Sequence, residues 1–138
     1  MRLGKNTKVD LIAKVPLFAG CSKKDLAEIA SVADELDLRE GTELTREGER
    51  GREFFVLLDG KAVVRKKGRK LRTLENGDFF GEIALVSDRP RTATVTAETP
   101  VRTLVITDRA FRSLLKKTPR IQAKVLEAVV DRVSGDDL

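Results

Sequence analysis

Histidine, tryptophan and tyrosine are absent from this 138-residue chain, and cysteine and methionine occur once each. These absences exclude a Ser-His-Asp triad, a Cys-His dyad, a zinc site of the usual ligands and a disulfide framework. Long apolar runs are missing too: none approaches the roughly 20 residues needed to cross a bilayer, and the opening MRLGKNTKVD lacks the apolar stretch of a secretory signal. The chain therefore reads as soluble and cytoplasmic, without a membrane span. What is present is 41% apolar and 36% charged, a globular composition whose length suits a single domain over residues 1–138. Lys+Arg number 27 against 22 Asp+Glu, a formal charge of +5, which favours anionic partners without naming one.

Helical spacing opens the sequence. Val9, Ile12, Ala13 and Val15 precede Pro16, which stops a short helix. Ser22 and Asp25 have capping-box spacing ahead of Leu26, Ile29, Ala30 and Ala33, which fall on one helical face. From about Leu36 the period becomes two, and Gly41, Gly48, Gly51, Gly60, Gly68 and Gly77 cut the chain into short strands. Phe54 to Leu58 is an apolar run closed by Asp59-Gly60, a hairpin signal with Ala62 to Val64 as the return strand. Further turns fall at Lys67-Gly68 and Glu75–Asp78, and further strands at Thr92 to Ala97 and Val101 to Ile106. After Thr107, an N-cap candidate, Ala110, Phe111, Leu114 and Leu115 share a helical face. A last helix from about Pro119 carries Ile121, Val125, Ala128, Val129 and Val133 and fades at Ser134-Gly135. The predicted fold is α+β: an antiparallel, jelly-roll-like β-roll over about 35–106, behind short N-terminal helices and before two C-terminal helices over about 108–133.

One segment breaks the strand pattern: Phe79-Phe80-Gly81-Glu82-Ile83-Ala84-Leu85-Val86-Ser87-Asp88-Arg89-Pro90-Arg91-Thr92-Ala93-Thr94-Val95. Gly81 lets backbone approach closely, and Glu82 to Val86 suit one inserted helical turn whose free N–H groups at Ile83 and Ala84 form a small anion-binding concavity. Arg91, behind Pro90, offers a planar fork of donors matched to two phosphate oxygens. Glu82 can accept from a sugar hydroxyl. A ligand with a singly charged phosphate and a free ribose hydroxyl satisfies this set; the simpler alternative is that Glu82 and Arg91 pair with each other inside the roll.

The string FGEIALVSDRPRTATV resembles the phosphate-binding cassette of the cyclic nucleotide-binding domain family, shared by protein kinase A regulatory subunits, catabolite activator proteins and cyclic-nucleotide-gated channels. Pro16-Leu17-Phe18, Glu47-Gly48, Phe54-Phe55-Val56, Asp59-Gly60 and Val63-Val64 resemble the family's other landmarks, so the likeness runs from about Val15 to Val133. It implies that Glu82 accepts from the ribose 2′-OH, that Arg91 pairs with the cyclic phosphate, and that Gly81, Ile83, Ala84 and Thr92 turn backbone N–H groups to the ligand. Phe80, Pro90 and Ala93 complete the implied binding set. Thr92 follows the cassette arginine, where a hydroxyl accompanies cGMP preference in some relatives and cAMP binding in others; cAMP is the expected ligand ahead of cGMP. The resemblance further implies a regulatory receptor with no catalytic residues, no metal and no bound cofactor, whose C-terminal helices swing on ligand binding. Output would pass to an effector protein, or to a second copy through the last helix, and the rival reading is a ligand-free structural or interaction module.

Three other features have bland readings. Arg65, Lys66, Lys67, Arg69 and Lys70 crowd around Gly68, where nucleic acid or anionic lipid could dock, but a solvated hairpin that deters edge pairing explains them more simply. Direct DNA binding is not expected, since no aromatic residues interleave with them and no helix-turn-helix unit follows. Cys21 lies before a helix N-terminus without a resolving partner, and Phe54-Phe55 and Phe79-Phe80 read as core.

Overall fold

The computed structural model describes residues 5–81 and 89–135. The observed order is α1 (Lys5–Ala13), a single 3₁₀ turn (Pro16–Phe18), α2 (Lys23–Val32), then β1 (Asp34–Leu38), β2 (Glu43–Thr45), β3 (Glu53–Asp59), β4 (Ala62–Lys66), β5 (Arg69–Leu74), β6 (Phe79–Phe80), β7 (Thr94–Ala97) and β8 (Val101–Thr107), closed by α3 (Asp108–Lys117) and α4 (Pro119–Gly135). The expected inserted turn at Glu82 to Val86 lies outside the described residues. Ser22 Oγ accepts from the Asp25 N–H at 3.1 Å, and Thr107 Oγ1 accepts from the Ala110 N–H at 3.3 Å, so both helix starts are capped by the residues the spacing named.

The strands form two four-stranded antiparallel sheets, ordered β1-β8-β3-β6 and β2-β7-β4-β5. This is the predicted α+β roll. Its central strand, β3, is apolar on consecutive residues because its sheet is covered on both sides. Phe54 and Val56 join Leu104 and Ile106 in a core shared with the helices, while Phe55 and Leu57 face the second sheet with Val64, Val95 and Val105. The helical core is built around Ile12, Phe18, Ile29, Phe111 and Ile121, and Phe54 stacks on Phe111 with ring centroids 4.6 Å apart. Of the row expected along the last helix, Ile121 is buried; Val125, Ala128, Val129 and Val133 lie outside the described side chains. The helix itself continues through Ser134 to Gly135.

The Asp59-Gly60 hairpin is corrected. β3 pairs with β8 and β6, so both its edges are taken, and β4 instead joins the other sheet beside β7 and β5. The turn is a corner between sheets. Lys61 donates its N–H to Thr99 Oγ1 at 3.0 Å and accepts from the Glu98 N–H at 2.8 Å, which hands the chain to the second sheet. Lys67-Gly68 is a true hairpin with φ of 52° and 79°, and the Glu75–Asp78 turn returns the chain to β6. Strand β7 begins at Thr94 rather than Thr92, because the buried Thr45 hydroxyl donates to the Ala93 carbonyl (3.1 Å) and accepts from the Val95 N–H (3.2 Å), bending the chain there.

The single thiol, Cys21, is half-buried. Burial pushes the Cys21 pKa up and Asp25 raises it further, against smaller lowering by Lys124 and Arg120.

Gly60 tests the corner. Its φ is +101°, and a Cβ there would lie 2.4 Å from the Pro100 carbonyl oxygen, whereas Gly41 at φ +87° has no atom within 4 Å of that position. Gly41→Ala should cost about 1 kcal/mol and Gly60→Ala more than about 2 kcal/mol, since only the second adds a backbone clash to the conformational penalty. Urea denaturation of the two variants measures both, and equal losses would refute the corner assignment.

Candidate ligand-binding site

The region with the most specific chemistry is where β3, β6 and the chain after residue 88 meet. Its centre is Arg91, which is 7% exposed. A guanidinium does not lose its proton in a protein, so it is buried only where acceptors are supplied. Here Nη2 donates to the Glu53 carbonyl at 2.7 Å and Nη1 to the Gly81 carbonyl at 3.1 Å. The Glu53 carboxylate stands 3.8 Å from Nη2 and is about half exposed, so it adds a weak ion pair. The Arg91 Cζ lies 6.0 Å from the Phe55 ring centroid, at the outer limit of a cation–π contact.

Main-chain bonds fix where this side chain begins. The Arg91 N–H donates to the Glu49 carbonyl and the Gly48 N–H to the Arg91 carbonyl, both at 2.9 Å. The guanidinium then crosses directly over Gly51, where a Cβ would fall 1.7 Å from Arg91 Nε. At Gly81 a Cβ would meet Arg91 Nη1 and the Glu53 carbonyl, each at 2.7 Å. Two glycines are thus required by one side chain, and Gly81 also sits at φ +93°. An open cavity of about 270 Å³ adjoins the arginine, lined among others by Thr45, Arg46, Glu49, Gly51 and Glu53.

Among the residues singled out from the sequence, Gly81 and Arg91 are brought into direct contact. Phe80 lies beneath them through Phe55: the two rings stack with centroids 4.8 Å apart and planes 7° from parallel. Thr92 and Ala93 are half-buried and follow Arg91 into the bend held by Thr45, while Pro90 is exposed. Glu82, Ile83 and Ala84 lie outside the described residues, and so does any pairing of Glu82 with Arg91. Sequence reasoning missed Gly51 and Glu53. Gly51 left a signal, a glycine two residues ahead of β3, which was read as punctuation; Glu53 contributes its main-chain carbonyl, which any residue carries. Both phenylalanine pairs are core, as expected, with Phe79 the least buried.

Among the described residues no group of three or more Cys, Asp or Glu is placed to hold a metal ion, and no helix is long and apolar enough to cross a membrane.

Comparison with known proteins agrees with this architecture. The sequence matches the family described as the cyclic nucleotide-binding domain over residues 35–118. It is 38% identical over 135 residues to a cAMP-dependent protein kinase regulatory subunit of Mycosarcoma maydis, covering 89% of this chain and 24% of that protein. It is 35% identical over 114 residues to the cGMP-dependent protein kinase egl-4 of Caenorhabditis briggsae, covering 78% and 15% respectively. The chain therefore spans a quarter or less of the length of these curated relatives. A solved structure described as Sp-2Cl-cAMPS bound to PKAR CBD2 has 26% sequence identity and a TM-score of 0.75, covering 91% of this chain and 90% of that one. With a buried arginine seated between two obligatory glycines in a two-sheet roll, and with matches of this extent, the chain belongs to the cyclic nucleotide-binding domain family.

Proposed function

We propose that residues 1–138 act as a single receptor domain for a 3′,5′-cyclic nucleotide monophosphate, cAMP ahead of cGMP, and turn occupancy into movement of α3 and α4. The observation that carries this reading is the buried guanidinium of Arg91, aimed by the Gly81 and Glu53 carbonyls. A planar donor fork whose direction is fixed before binding loses little freedom on engaging two phosphate oxygens. In this reading Arg91 pairs with the cyclic phosphate and Glu82 accepts from the ribose 2′-OH. Gly81, Ile83, Ala84 and Thr92 contribute backbone N–H groups, and Phe80, Pro90 and Ala93 frame them. The roles of Glu82, Ile83 and Ala84 rest on the family resemblance alone. The preference for cAMP rests on the cAMP-dependent relative and on the cAMP analogue in the structural neighbour. The domain holds its ligand without hydrolysing it and acts in the cytoplasm on an effector or on a second copy of itself.

The last helix has a surface suited to that output. Leu126 and Val130, one helical turn apart, are 54% and 61% exposed. At its start, Lys124 Nζ donates to the Ala19 carbonyl at 2.8 Å, and Arg120 donates to the Gly20 carbonyl. These bonds tie α4 to the elbow between α1 and α2 through exposed contacts that can exchange for water. The exposed pair also favours the second reading, a ligand-free interaction module.

Saturating ligand at about 100 times Kd adds roughly 2.7 kcal/mol, which should raise the melting temperature by on the order of ten degrees. Parallel melts with cAMP and cGMP should show this shift, with cAMP acting at the lower concentration. Arg91→Gln should weaken binding roughly tenfold to several hundredfold, through loss of charge-assisted hydrogen bonds. Absence of any shift at millimolar nucleotide leaves the ligand-free module standing.

Gly51→Ala should weaken nucleotide binding about tenfold or more while leaving every residue assigned to the ligand unchanged, because the new methyl displaces the Arg91 guanidinium. Isothermal titration of this variant beside Gly41→Ala, where a Cβ meets open space at φ +87° and the main-chain N–H bonds to Ala97, separates displacement of Arg91 from general loop strain.

Amide exchange reports the helix movement. Addition of cAMP should change protection across 111–133, and an unchanged profile there in a protein that demonstrably binds nucleotide would reject the conformational half of the proposal.

A further inference from the structure

The positive charge of this protein is concentrated in one place. Residues 65–72 read Arg-Lys-Lys-Gly-Arg-Lys-Leu-Arg, six cations in eight positions with no carboxylate. Without them the chain holds 21 Lys+Arg against 22 Asp+Glu, so the whole formal excess of +5 resides in this octapeptide. It forms the β4–β5 hairpin, with β5 at the outer edge of its sheet. Arg65, Lys67, Arg69 and Lys70 are exposed, and the tip is braced by Glu47, whose carboxylate accepts from the Lys67 N–H at 2.8 Å.

The register makes this arrangement costly. Arg65 stands directly opposite Lys70, and Lys66 directly opposite Arg69. Like charges facing each other across a strand pair destabilise it. Deterring edge-to-edge pairing does not require that cost, because a bulge already blunts this edge: the register shifts at Val64/Arg65 and leaves Leu71 as the extra residue of β5. Leu71 is 41% exposed, an apolar side chain presented in the middle of the cations.

We infer that the β4–β5 hairpin docks on an anionic lipid surface. Clusters of 4–8 Lys/Arg are attracted to acidic headgroups, and phosphate groups of such a surface would lie against the facing, exposed Arg65 and Lys70. Leu71 adds apolar contact at the headgroup boundary, where a leucine among cations gains by burial. A nucleic-acid backbone offers the same phosphates but no apolar layer for Leu71. Bases would also find no stacking partner here, since all six phenylalanines are buried or half-buried elsewhere in the fold.

Co-sedimentation of the full chain with vesicles tests this. Binding should be strong to a roughly 3:1 phosphatidylcholine–phosphatidylserine mixture, absent on phosphatidylcholine alone, and lost as salt rises. At about 1 kcal/mol per cation, Arg69→Gln/Lys70→Gln should lower partitioning about thirtyfold, and Leu71→Ser should lower it further without changing the salt dependence. The double variant should melt at or above the wild-type temperature, because two like-charge oppositions are relieved, so loss of binding is not loss of fold. Equal binding to neutral and acidic vesicles, no binding to either, or tight binding to duplex DNA by a protein that ignores acidic vesicles would each overturn the inference.

Discussion

A guanidinium that cannot shed its proton has to be given acceptors wherever it is buried, and the centre of this roll is organised by that requirement. Arg91 reaches inward from a loop bonded to the turn at Gly48-Glu49 and takes the carbonyls of Glu53 and Gly81. Those carbonyls are available because the β3–β6 pairing stops at Phe55 and Phe80, short of both Glu53 and Gly81. The path of the side chain then dictates glycine at positions 51 and 81, since any larger residue would occupy the space of the guanidinium. One charged side chain thus constrains a turn, two strand ends and two glycines at once.

The sheet beneath Arg91 is constrained from both sides. Phe55 lies under the guanidinium and stacks on Phe80, while the neighbouring Phe54 faces the opposite way and stacks on Phe111 of α3. Strand alternation converts adjacent residues into contacts on opposite faces, so β3 carries the Arg91 side and the helix side on one backbone. The run of apolar residues from Phe54 to Leu57 is the sequence mark of that double duty.

Much of this was legible in the sequence, and the failures have definite causes. Helix starts were readable because a cap is a local arrangement: Ser22 and Thr107 each bond to an N–H three residues on. The Lys67-Gly68 hairpin was readable because two consecutive left-handed residues define its turn. Asp59-Gly60 carries the same local signal with a different outcome, because pairing is decided by which edges of β3 are free, and those were claimed by β6 and β8 from later in the chain. At the site, Arg91 and Gly81 stood out through their residue types. The Glu53 carbonyl did not, since a backbone acceptor has no sequence signature, and the role of Gly51 depends on where a side chain forty positions away is sent.

The connection from the site to the C-terminal helices follows from the same strand. Arg91 holds the carbonyl of Glu53, and the carbonyl of the preceding residue, Arg52, accepts from the Asp108 N–H at 2.6 Å at the first turn of α3. The largely buried Asp108 carboxylate also lies 3.8 Å from the exposed Arg52 guanidinium, a long contact that adds direction more than energy. One residue further along β3, Phe54 supports α3 through Phe111. Under the proposed function, a phosphate that draws on the Arg91 donors competes with the Glu53 carbonyl for the same N–H groups. Any change in that bond acts at the end of β3 to which the start of α3 is fastened. Beyond α3, the grip on α4 is of another kind: side-chain donors reaching the carbonyls of Ala19 and Gly20 near the surface. The strand-to-helix contact of Phe54 on Phe111 is buried while the bonds that hold the last helix are exposed and exchangeable, so under the proposed function a small shift at β3 passes to α3 and is released at α4.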